Sequence, residues 1–145
     1  MKEVDPIRIR DLLGNMNDAL RRLRELGDLP EEAFLADYRN TESAKYLLIV
    51  AMESAIDSCN HIVARKGGRA PQDYADCFTI LAELKVVDSQ LASRLRQMAR
   101  FRNLIVHLYW QVDNRRVYSL IREDLVDLDL FREQVLDWGQ WGRTH

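Results

Sequence analysis

The stretch RFRNLIVHLYW, residues 100–110, decides how this chain is read, because it sets an arginine, an asparagine, an imidazole and a phenol within the rhythm of a buried helix. On a wheel of roughly 100° per residue, Leu91, Met98, Phe101, Leu104, Ile105 and Leu108 share one broad arc, which predicts the core face of a helix over residues 89–109. Arg96, Asn103 and His107 gather on another side with Arg100 beside them. Arg102 and Tyr109 stand nearly in line at the edge of that side.

The side chains on this face suit phosphate chemistry. An imidazole exchanges protons near neutral pH, and an arginine keeps its charge and offers paired donors to phosphate oxygens. These are the parts of a metal-free ribonuclease: His107 as general base on a ribose 2′-hydroxyl, and Arg102 against the charge of the phosphorane. Arg96 and Arg100, with Arg94 nearby, are candidates for RNA backbone contacts; the plainer alternative is a solvated face. In-line cleavage uses an acid as well as a base, and this face offers one imidazole. A two-fold homodimer would supply the second.

Outward from this helix the pattern is helix after helix. Asp5-Pro6 caps a first one over about residues 6–26, with Ile9, Leu12, Leu13, Met16, Leu20 and Leu23 at helical spacing. Pro30 and two following acids start a short second helix. Asn40 or Thr41 is expected to cap a long third helix through about Arg65, which "KGG" at 66–68 ends. A fourth follows Pro71, Asp88 or Ser89 caps the motif helix, and "QVDNRR" breaks the pattern before a final helix from about Glu123. "VYSLI" at 117–121 reads as a helical turn, since a lone strand would have no partner. Short connections between helices predict an all-α antiparallel helical bundle, a single domain over residues 1–145.

Composition narrows the function classes. With 47% hydrophobic and 30% charged residues the chain is neither disordered nor membranous, and no window approaches an uninterrupted apolar span. The start, MKEVDPIRIRD, has no apolar secretion segment, so a cytoplasmic protein is expected. A net charge of −2 argues against a surface that grips nucleic acid everywhere and leaves room for a local basic patch. Cys59 and Cys77 read as buried reduced thiols, with no ligand spacing for zinc. The motif face has no clustered acids for magnesium, and the chain has no P-loop, HExxH or Gly-x-Ser-x-Gly, so neither metal nor cofactor is expected.

The motif words carry a resemblance. RNLIVHLY, Arg102 to Tyr109, resembles the Arg-x4-6-His signature of HEPN-domain ribonucleases, and HLY resembles the His-x-Tyr extension of HepT toxins. Asn103 fills the polar position after the arginine. AMESAIDSCNHIV, residues 51–63, is similar to the preceding long helix of HepT-like proteins, and the likeness runs from about Lys45 to Leu136. It implies a homodimeric all-α toxin of a type VII toxin–antitoxin pair, with Arg102 and His107 as the ribonuclease residues. It further implies an MntA-like nucleotidyltransferase antitoxin that transfers AMP onto Tyr109. The alternative is a HEPN subunit that binds nucleotide and holds a nucleotidyltransferase without cutting RNA.

Other residues draw expectations of their own. Asp57 is either a carboxylate that orients Arg102 or His107 across the bundle or an exposed acid, and Glu53 shares its face. His61 is expected to be structural, and RKGGR at 65–69 a helix stop that could also meet RNA. Trp110 and Trp138 are expected in core or dimer packing, and Trp141 in an exposed tail.

Overall fold

A computed structural model describes residues 3–67 and 69–141. Among them are seven α-helices, one 3-10 turn and no strand. The helices are α1 (Pro6–Gly27), α2 (Glu31–Ala36), α3 (Tyr38–Lys66), α4 (Tyr74–Glu83), α5 (Ser89–His107), α6 (Asn114–Glu123) and α7 (Val126–Gly139).

Caps explain where they start. Asp5, with Pro6 behind it, accepts from the amides of Ile7 and Arg8, and Asp88 Oδ1 accepts from Leu91 N at 2.7 Å. The third helix begins earlier than its sequence suggests, because Asp37 supplies the cap and accepts from Arg39 N at 2.9 Å. Asp113 caps α6 in the same way, so VYSLI lies inside a full helix rather than a single turn. The expected final helix is α7: α6 ends at Glu123, and α7 starts three residues later, at Val126.

Two ends use left-handed residues other than glycine. Lys85, at φ 63°, closes α4, and Val86 N returns to Leu81 O at 2.9 Å. Gln140, at φ 60°, closes α7, and Trp141 N returns to Leu136 O at 2.9 Å. That return folds Trp141 back edge-on against Trp138 at 6.0 Å, with its carbonyl held by Arg10; the ring is half-buried, not exposed.

Cross-links show the packing to be antiparallel. Asp5 N donates to His61 Nε2 at 2.9 Å, so the start of α1 lies at the end of α3. Arg96 reaches Thr79 and Arg102 reaches Tyr74, which runs α5 back along α4. Asp88 bonds Gln134 while Arg94 pairs with Asp127, which sets α7 against α5. The core between these layers is apolar, with Phe34, Phe78 and Phe131 fully buried and Phe78 meeting Phe131 edge-on at 5.8 Å.

α3 is, by length and composition, apolar enough to cross a membrane, although Glu53 and Asp57 interrupt its apolar run; more than half of the window concerned is buried inside the bundle. It is a core helix flanked by α1, α4 and α5. The cysteines also depart from expectation. Cys59 on α3 and Cys77 on α4 are both buried, but they are joined as a disulfide, with their Cα atoms 6.2 Å apart.

His61 ties a titration to the fold. Burial, then Arg65, pulls its imidazole below the ordinary value, while Asp5 pulls the other way. The unfolded chain therefore binds more protons than the folded one below about pH 6.5, so this contribution is complete above that value and is lost as pH falls through the window beneath it. The melting temperature is expected to fall between pH 7.5 and 5.5, by less in His61→Gln. The wild-type-minus-variant difference also cancels the opposite slope from Asp124, whose carboxyl is raised by burial and by Asp127 and Glu123.

Candidate active site

Arg102 lies near the C-terminal end of α5 and is 9% exposed. A guanidinium that deep needs partners. Nη2 donates to Glu53 Oε2 on α3 at 2.5 Å, and Nη1 donates to Asn103 Oδ1 at 2.9 Å. Tyr74 of α4 offers its ring face 5.0 Å from the guanidinium carbon. Nε is buried without a hydrogen-bond partner among the described residues. Three helices thus hold one cation, and Glu53 itself stays half-exposed.

His107 is the last residue of α5 and is exposed. Five residues on a helix turn by roughly 140° beyond a full circle, so arginine and imidazole leave the helix in different directions. Accordingly, the terminal nitrogens of Arg102 go to Glu53 and Asn103 and neither goes to His107.

The helix stops there, two residues short of its expected end. Leu108 leaves helical geometry at φ −133°, and Tyr109–Gln111 form the 3-10 turn. Tyr109 consequently faces α3 instead of continuing the motif face. Its hydroxyl donates to Glu42 Oε2, and Lys45 Nζ sits 4.1 Å over its ring. Lys45, almost fully buried, pairs with the same Glu42 oxygen at 3.2 Å.

The remaining candidates separate. Asp57 is exposed one turn beyond Glu53, and the structure gives the carboxylate contact with Arg102 to Glu53. Arg100 is exposed as expected, but Arg96 is half-buried and donates to Thr79 Oγ1 at 3.1 Å. Arg94 is committed to Asp127, so the row of basic side chains on α5 is largely spoken for inside the molecule. Arg69 is likewise tied to Asp76 and Glu83, and Arg69 holds the Asp76 carboxyl below its usual range; Gly68 lies outside the described residues. Among the described residues, no three His, Cys, Asp or Glu side chains are grouped to hold a metal. Leu108, expected on the core face, is 38% exposed, and Trp110 at 77% exposed lies outside the core. Val106 and Tyr109, in the same stretch, are 41% and 38% exposed.

The bare sequence singled out none of Glu42, Lys45 and Tyr74. Their signal was available only in the register of antiparallel neighbours, which puts residue 53 opposite 102 and residue 42 opposite 109.

Residues 16–135 match the ribonuclease HepT-like family. The chain belongs to that family. The matched span contains Glu42, Lys45, Glu53, Arg102, His107 and Tyr109. Within the HepT-like family, whose activity is that of an endoribonuclease, the mRNA nuclease HepT of Shewanella oneidensis is 30% identical over 102 residues, covering 70% of this chain and 77% of that protein. The tRNA nuclease HepT of Aphanizomenon flos-aquae is 23% identical over 136 residues, covering 93% of this chain and 92% of that one. Among solved structures, the tri-AMPylated Shewanella oneidensis HEPN toxin in complex with MNT antitoxin superposes with a TM-score of 0.82 at 25% identity, covering 94% of this chain and 99% of that one.

Removing one partner tests the cradle of Arg102. Glu53→Gln leaves a buried cation against a neutral group and is expected to cost about 1–2 kcal/mol in urea unfolding. Asp57→Asn, on an exposed acid, is expected to stay within about 0.5 kcal/mol.

Proposed function

We propose that this HepT-like chain is the toxin of a type VII toxin–antitoxin pair, a cytoplasmic, metal-independent endoribonuclease that works as a homodimer. The observation that carries the reading is Arg102, a buried cation oriented by Glu53, Asn103 and Tyr74, in a chain whose family consists of ribonucleases.

In this reading His107 takes the proton of the ribose 2′-hydroxyl. The freed oxygen attacks the adjacent phosphorus, the 5′-oxygen leaves, and a 2′,3′-cyclic phosphate remains. Arg102 stabilises the negative charge that gathers on the phosphorane, with Asn103 and the α3 carboxylate Glu53 holding it in place. The proton for the leaving oxygen comes from His107 of the partner subunit. The exposed apolar side chains Val106, Leu108 and Trp110 around the end of α5 favour that two-fold arrangement, because a second copy could cover them while setting the two imidazoles across one cleft. Arg100, exposed on α5, meets the RNA backbone at its rim.

Control falls to Tyr109. An MntA-like nucleotidyltransferase antitoxin places AMP on its hydroxyl, adding bulk and negative charge beside a phosphate-binding face, so RNA is both occluded and repelled.

The test uses unmodified protein, verified by intact mass, incubated in EDTA with end-labelled RNA. Fragments ending in 2′,3′-cyclic phosphate are expected, with cleavage reduced about 10²–10⁴-fold in His107→Ala and about 10²–10³-fold in Arg102→Ala. Wild-type protein that leaves the RNA intact would refute the nuclease. The reading would then pass to a nucleotide-binding subunit that holds its nucleotidyltransferase without cutting.

A further inference from the structure

The hydroxyl of Tyr109 rests on a carboxylate. It donates to Glu42 Oε2, and that same oxygen forms an ion pair with Lys45 Nζ at 3.2 Å. Lys45 is 5% exposed and also lies 4.1 Å over the tyrosine ring. Glu42 is itself half-exposed, so its carboxylate can pass a proton on to water. One oxygen therefore joins a phenol and a buried ammonium, on a surface that a second protein can reach.

A carboxylate in contact with a neutral phenol has a definite use if that phenol is a nucleophile. A phenol keeps its proton at neutral pH, with an ordinary value near 10, and must lose it as its oxygen bonds to phosphorus. We propose that Glu42 is the base for that step: it accepts the Tyr109 hydroxyl proton while the phenolic oxygen attacks the α-phosphorus of a nucleoside triphosphate. The new bond is Tyr109 Oη to the α-phosphorus. The bond that breaks joins this phosphorus to the oxygen of the β-phosphate, which leaves with its electron pair as pyrophosphate. The proton passes from Glu42 to solvent. Lys45 holds the receiving oxygen in place and sets a positive charge over the ring on which phenolate character develops.

The inference rests on Tyr109 being the AMP acceptor, and it assigns part of the chemistry to the toxin itself. The nucleotidyltransferase brings and activates the triphosphate. The substrate protein deprotonates its own nucleophile.

The experiment measures AMP transfer from labelled ATP to the wild-type chain and to Glu42→Gln by the nucleotidyltransferase antitoxin, between pH 7 and 9.5. Glu42 is half-exposed and glutamine keeps its shape and its acceptor oxygen; unchanged melting curves verify the fold. At pH 7 transfer to the variant is expected to be slower by about 10²-fold. Because solvent can remove the proton as pH approaches the phenol's own ionisation, the ratio of wild-type to variant rates is expected to narrow to a few-fold at pH 9.5. Using one transferase for both chains cancels its own pH dependence. Glu42→Asp, a carboxylate on a shorter stem, is expected to recover part of the rate at pH 7. Equal rates at pH 7, or a deficit that does not change with pH, would overturn the base role and leave Tyr109 as acceptor. A wild-type chain that takes up no label, or takes it up equally as Tyr109→Phe, would overturn the acceptor reading and this inference with it.

Discussion

A guanidinium buried at the seam of three helices constrains the rest of this molecule. Arg102 can stay there only if α3 brings Glu53 alongside, α4 brings the ring of Tyr74, and α5 keeps Asn103 next in line. Meeting these demands fixes the antiparallel register of α3 on α5. The same register, continued one helix-end further, carries Glu42 and Lys45 to Tyr109. The disulfide between Cys59 and Cys77 joins α3 to α4, the helices that supply two sides of this cradle. Packing that secures one charge thereby composes two neighbouring chemical sites.

The two sites use cations differently. Arg102 is delocalised and flat, and it is oriented by partners on its edge and face. Lys45 is a compact charge spent almost wholly inside the molecule on a carboxylate and a ring. Arg94, Arg96 and Arg69 are also occupied by internal partners. Arg100 and His107 remain exposed at this end of α5.

Much of this architecture was legible in the sequence. The 3.6-residue rhythm of α1 and α5, the Asp5-Pro6 start and the Asp88 cap lead directly to those helices, and Arg102, Asn103 and His107 stand out as polar residues in an apolar segment. Contacts that depend on register were not legible. Glu53 and Asp57 share a face of one helix, and only the opposing helix decides which of them meets Arg102. The ends of helices were also hidden. Nothing local in HLYW announces a stop, since no glycine or proline is present, and the departure occurs at a leucine with extended φ. The pairing of Cys59 with Cys77 was missed because spacing along the chain says little when two cysteines lie on different helices.

That early stop at Leu108 gives the motif an unexpected shape. Written as letters, His-x-Tyr looks like two rungs of one ladder, and a continued helix would set those side chains about 200° apart around a common axis. In the folded chain they stand on either side of a street corner: His107 on the last stretch of α5, Tyr109 around the bend and facing α3. The bend thus gives two residues that are neighbours in the sequence separate surroundings, an open face for the imidazole and a charged contact on α3 for the phenol.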